Sequence, residues 1–169
     1  HASYRRQRQM CIRDRSPGVA RSFSLDTPVL LIWQPSGSKH TSEYIDHPDW
    51  KTNSTRAGDA AVDRLAKKDW NPSIWNELLQ ESQTFGRMSK MLEEPTRQSM
   101  LAAVQSTVNE LGLQARIRVR LCMLGTSCVV LPSKVDQALT EDELQQLSDH
   151  LKTHQLESLV TRIAPERSV

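Results

Sequence analysis

Residues 115–132 constrain this chain more than any other stretch. Arg116, Arg118 and Arg120 alternate strictly with Ile117, Val119 and Leu121. A period of two marks a β-strand with one face buried and one face turned outward. Leu124-Gly125-Thr126-Ser127 fits a two-residue turn, with glycine supplying the positive φ that matches strand twist. Residues 127–131 return along the first strand until Pro132 stops the ladder. In the register this turn sets, Cys122 faces Val129 and Met123 faces Cys128. The two cysteines then point to opposite faces, so no disulfide joins them. An isolated hairpin is marginal in water; the remaining chain must cover it.

That cover reads as helical. Ala60, Ala61, Val62, Leu65 and Ala66 suggest a short helix. Asn71 followed by Pro72 is a start signal: the side chain can cap, and proline suits the first helical position. Ile74, Leu78, Phe85, Met88 and Leu92 then recur at helical spacing, and Trp75 and Leu79 widen the stripe, predicting a helix to about Leu92. Trp70 is placed to pack on Trp75 as a hydrophobic staple. Pro95 breaks that helix and begins the next, whose inward row is Leu101, Val104, Val108 and Leu111. Gly112 and Leu113 end it as a Schellman cap. Thr140 and Glu143 form a capping box ahead of Leu144, Leu147 and Leu151. Leu156, Leu159, Val160 and Ile163 follow as a second helix or a final strand.

The expected architecture is therefore α+β, with helices packed on one face of a small antiparallel sheet centred on the β-hairpin 115–131. Residues 56–165 are expected to form the globular domain. Residues 16–55 are rich in Ser, Thr, Pro, Gly and Asp and read mostly as linker, with a short strand at 29–33 between Pro28 and Pro35.

Residues 1–15 are set apart. Gln9-Met10-Cys11-Ile12-Arg13-Asp14-Arg15 back-translates to the transposon end used in preparing sequencing libraries, and the chain begins with His1. This stretch is expected to be adaptor read-through on an open-ended fragment. It carries five arginines and one aspartate of a chain with net charge +2; without it 17 basic and 19 acidic residues remain, a net charge of −2. A basic balance would have favoured nucleic acid as partner, and that argument lapses. No run of apolar residues is long enough to span a bilayer, so no membrane partner is expected. Cys122 and Cys128 match neither a zinc knuckle nor a redox pair, and reduced thiols suit a cytoplasmic setting.

Four groups of side chains are candidate sites. Arg116, Arg118 and Arg120 at two-residue spacing can track phosphates or an acidic partner, or serve as a solvated, aggregation-resistant face. The turn-proximal half of that face carries Cys122, Val129 and Leu131, an apolar area that something should cover. The order of three helices and a hairpin also compares with a winged helix, in which Arg97, Gln98, Gln105 and Asn109 would meet the major groove. His40, Glu43, Asp46, His47 and Asp49 crowd one stretch, making His40, His47 and Asp49 metal or acid–base candidates, although the spacing follows no known ligand rule. His150 and His154 share a helix face but lack the glutamate of a zinc protease. No catalytic set, cofactor fingerprint or phosphate loop emerges. The expected function is a non-catalytic module that binds another protein. The alternatives are nucleic-acid binding and a small histidine-dependent enzyme.

Overall fold

The computed structural model describes residues 23–35, 47–122 and 125–163. Within them lie four strands and four α-helices: β1 (Thr27–Trp33), α1 (Pro48–Leu65), α2 (Trp75–Met88), α3 (Pro95–Glu110), β2 (Ile117–Leu121), β3 (Ser127–Pro132), α4 (Glu141–Leu151) and β4 (Glu157–Ile163). The strands form one antiparallel sheet in the order β2-β3-β1-β4. The fold is α+β.

The segment at 29–33 is thus an inner strand, flanked by β3 and β4, and residues 27–33 belong to the globular unit. Leu30 and Ile32 are fully buried. The hairpin contributes β2, at one edge, and β3 inside. Residues 157–163, left open between helix and strand by the sequence, form the opposite edge.

One face of the sheet holds the main core. Leu30 and Ile32 of β1, Cys128 and Val130 of β3 and Ile117 of β2 meet Met100, Val104 and Val108 of α3 and Leu144, Leu147 and Leu151 of α4. Each such side chain, fully buried, contributes roughly 1.5–3 kcal/mol. On the opposite face, Trp75 and Leu79 of α2 pack with Leu25, Phe23, Leu131, Val135 and Ile163. This second cluster covers only one end of that face.

Local signals account for the helix boundaries. The Thr140 hydroxyl accepts from the Glu143 amide at 3.2 Å, while the Glu143 carboxylate accepts from the Thr140 amide at 2.8 Å, completing the capping box. At the end of α3, Gly112 adopts φ +70°. The Leu113 amide donates to the Val108 carbonyl and the Gly112 amide to the Asn109 carbonyl, the paired bonds of a Schellman cap. Asn71 accepts from the Ser73 amide at 2.9 Å, capping a 3-10 turn (Pro72–Ile74) that leads into α2. The indoles of Trp70 and Trp75 are committed to different acceptors, the Leu65 and Pro132 carbonyls.

Four features differ from the sequence reading. Helix α1 begins at Pro48, inside the stretch read as linker. Pro48 in the first turn and Asp49 beside it are ordinary start signals, but only Ala57 of α1 is buried, so no apolar stripe marks it. Helix α2 stops at Met88 rather than Leu92, because Lys90 turns left-handed at φ 62°. The chain folds back there, and Leu92 closes on Gly86, where an added Cβ would lie 3.4 Å from its side chain. In α3, Met100 and Thr107 join Val104 and Val108 in the interior, while Leu101 and Leu111 are only half-buried.

The fourth difference is the hairpin register. Leu121 faces Cys128 and Arg120 faces Val129, two residues from the register of a two-residue turn. Thr126 is buried, and its carbonyl accepts from the Gln34 amide at 3.1 Å, so the end of β1 draws it out of the turn. A slip of two leaves every side chain on its original face. Cys122 and Cys128 accordingly remain on opposite faces, both as free thiols.

Candidate functional site

The outer face of the sheet carries the candidate chemistry. Register places Arg120 of β2, Val129 of β3, Leu31 of β1 and Leu159 of β4 in one row across all four strands. At roughly 4.8 Å per strand, this row is about 14 Å long. Val129 and Leu31 are half-buried, and Leu159 is 54% exposed. In the next row Trp33 lies opposite Glu157, and its indole N–H donates to that carboxylate at 2.8 Å. Cys122 continues this half, partly exposed, with its thiol pushed up by burial. No helix among the described residues packs over this end in the way that Trp75 and Leu79 cover the other.

The three arginines do not act as one row. Arg116 precedes the first residue of β2 and escapes its alternation. Its guanidinium reaches the start of α4, donating to the Glu143 carboxylate and to the Ala138 carbonyl at 3.3 Å. That hydrogen bond and the Thr140 amide hold the Glu143 carboxyl below its ordinary value. Arg118 is exposed and donates to the carbonyls of Ile117 and Gln114 at 2.6 and 3.2 Å. Arg120 is half-buried beside α2: Nε donates to the Leu79 carbonyl at 2.8 Å, Nη1 to Val119 at 2.7 Å and Nη2 to Gln83 at 3.4 Å.

A structural role follows for two of them. The Arg116 carbonyl accepts from the Ser133 amide and the Cys122 amide donates to the Ser127 carbonyl, both on the β3 side, so the carbonyls of Ile117 and Val119 look to the free edge. Arg118 and Arg120 satisfy these carbonyls with their own side chains, and α2 lies alongside. The β2 edge is thereby closed to pairing with another strand. No carboxylate of the described residues forms an ion pair with Arg118 or Arg120. Burial, then the neighbouring charges of Arg118 and Arg87, pulls the Arg120 guanidinium below its ordinary value.

The winged-helix comparison loses its principal cation. Arg97 is 1% exposed, turned inward from α3 with Nη1 donating to the Met91 carbonyl at 3.4 Å. Its amide is the one that the Glu94 side chain caps. Gln105 and Asn109 are exposed but bonded to each other at 3.1 Å.

Among the histidine–carboxylate candidates, His40, Glu43 and Asp46 lie outside the described residues. His47 and Asp49 line one open recess with Trp50, Asn53 and Lys90. His150 Nδ1 donates to the Gln146 carbonyl at 2.8 Å on an exposed helix end. Among the described residues no group of three His, Cys, Asp or Glu side chains is placed to hold a metal ion, and no helix is long and apolar enough to cross a membrane.

The residues that sequence reasoning overlooked are Leu31, Trp33 and Leu159. The only available signal was the apolar area foreseen around Cys122, Val129 and Leu131. Comparison with protein-family models, with curated proteins and with solved structures finds no match to this chain.

Proposed function

We propose that this chain is a non-catalytic interaction module whose open sheet face docks on another protein. A single observation carries the reading: the Val129–Leu31–Leu159 row crosses three strands and ends in a leucine 54% exposed. Contiguous apolar surface of this kind marks association sites more often than isolated exposed side chains do. Arg118 stands on the same face at its β2 side without a carboxylate from the described residues. The partner that fits is therefore an apolar surface edged by Asp or Glu. Reduced cysteines on opposite faces suit a cytoplasmic encounter.

Nucleic-acid binding is the alternative, and it would rest on Arg118 with Arg120. Arg116 is held by Glu143 and Arg97 is internal. One experiment separates the two readings. A photo-crosslinking benzoylphenylalanine is placed at Leu159, or at exposed Gln146 on α4, in cells of the source. The proposal expects a discrete protein adduct from position 159 only, lost when Leu31→Asp is added. Adducts to RNA or DNA would transfer the function to the alternative. Equal labelling from both positions, or none from 159, would remove the outer face as a docking surface.

A further inference from the structure

A second site adjoins the β2 margin of the docking face, where α2, α3 and β2 meet. A half-open cavity of about 330 Å³ is walled by Leu92, Leu101, Val119 and Leu121, with Gln83 and Arg120 among its polar members. Among the described residues no acidic side chain lines it. Arg120 brings a full charge into this apolar setting. A guanidinium has five N–H donors, and the three acceptors that Arg120 meets among the described residues are all neutral: two carbonyls and the Gln83 amide. Arg118 and Arg87 add further positive potential around it. A half-buried cation with no anion beside it among the described residues is costly unless a carboxylate or similar group arrives.

We propose that this cavity binds a small amphipathic monocarboxylate, its head group on Arg120 and its apolar body between Leu92, Leu101, Val119 and Leu121. Size supports the assignment. The volume lies at the lower end of small-molecule sites, roughly 300–1,000 Å³. At about 30 Å³ per liquid water, it admits roughly ten non-hydrogen atoms. That is the span of a medium-chain fatty acid and too little for a nucleotide. The Gly86 wall contributes: the absent side chain lets Leu92 close one side of the chamber. Binding involves no covalent step. It joins α2 to α3 and β2 through a shared occupant, tightening the contact that Arg120 already makes with Leu79.

The test is a titration of the methyl-labelled full chain with octanoate, with 1-octanol as the neutral control of equal length. Octanoate should move the methyl signals of Leu92, Leu101, Val119 and Leu121 saturably. Octanol should bind at least about tenfold more weakly, since a hydrogen bond to a charged group is worth roughly 1.5–3 kcal/mol. Arg120→Gln should abolish the preference for octanoate. Because Arg120 also anchors α2, a second variant keeps it: Ala102→Phe fills the exposed wall of the cavity and should block octanoate while methyl signals elsewhere stay in place. The Leu31→Asp variant of the docking face should titrate like the parent chain. Equal affinity for octanoate and octanol, an unchanged titration in Ala102→Phe, or no movement of the four methyl groups would each overturn the proposal.

Discussion

Ile32 and Leu31 are neighbours on β1 with opposite environments, and truncating each to alanine reads out the sheet directly. Ile32 is fully buried in the main core, whereas Leu31 is half-buried on the outer face. Ile32→Ala removes three carbon atoms, about 2.4 kcal/mol of transfer free energy at roughly 0.8 kcal/mol each. It also leaves a cavity; at about 24 cal/mol per Å³, a residual void of roughly 50 Å³ adds about 1.2 kcal/mol. The expected loss is about 3.5 kcal/mol, equivalent to a fall in Tm of more than about 10 °C for a domain of this size. Leu31→Ala forfeits only part of the transfer term and opens no closed void, so about 1 kcal/mol is expected. Urea unfolding followed by circular dichroism measures both, and an unchanged slope with urea would assign the difference to the native state. Equal losses, or a larger loss at Leu31, would refute the placement of β1 with residues 30 and 32 inward.

Two further outcomes follow. Glu143 is held below its ordinary carboxyl pKa, first by the Arg116 hydrogen bond and then by the Thr140 amide. Its contribution is therefore complete above the unfolded value of about 4.3 and disappears as pH falls through the lower folded pKa. Thermal melts of Glu143→Gln should lose less stability than the parent chain in that acidic window, with a difference of at most about 1 kcal/mol because the pair is partly solvated. A parallel decline would exclude Glu143 as a contributor. Cys128 is fully buried with its thiol pushed up to about 12, mainly by burial. Under native conditions a maleimide should label Cys122 well before Cys128, as peptide mapping would reveal; the reverse order would contradict the strand alternation.

Features carried by short stretches of chain were the most legible. The Gly112 cap, the Thr140–Glu143 box and the alternation from Ile117 to Leu121 each depend on residues within one turn or one strand. The place of β1 was not legible, because its partners β3 and β4 lie about a hundred residues away and nothing local names them. The same holds for β4, whose apolar residues suit a helix as readily as an edge strand. The N-terminal part of helix α1, before the stretch from Ala60 that does read as helical, hid for another reason. With only Ala57 inside, it shows almost no apolar period. At the candidate site, alternation correctly put Val129 and Leu131 on the face of Arg118 and Arg120, but extended one residue too far. Arg116 lies before the strand begins, where the Leu113 carbonyl accepts its amide in a turn, and Glu143 takes its side chain. Arg97 was misplaced because a cation near a helix start ordinarily faces water.

Those long-range pairings also define which segments must stay together. A shortened chain beginning at residue 56 would lack β1, separating β3 from β4, so binding studies need a chain that retains residues 27–33. The docking row exists only if Leu31 stands between Val129 and Leu159. Cross-strand nuclear Overhauser contacts test this directly in the labelled full chain. The four-stranded order predicts contacts from Leu31 to both Val129 and Leu159, alongside Leu30 to Val130 and Val160 on the opposite face. Contacts from β3 straight to β4, or Leu31 without either neighbour, would contradict the sheet and dissolve the surface built on it.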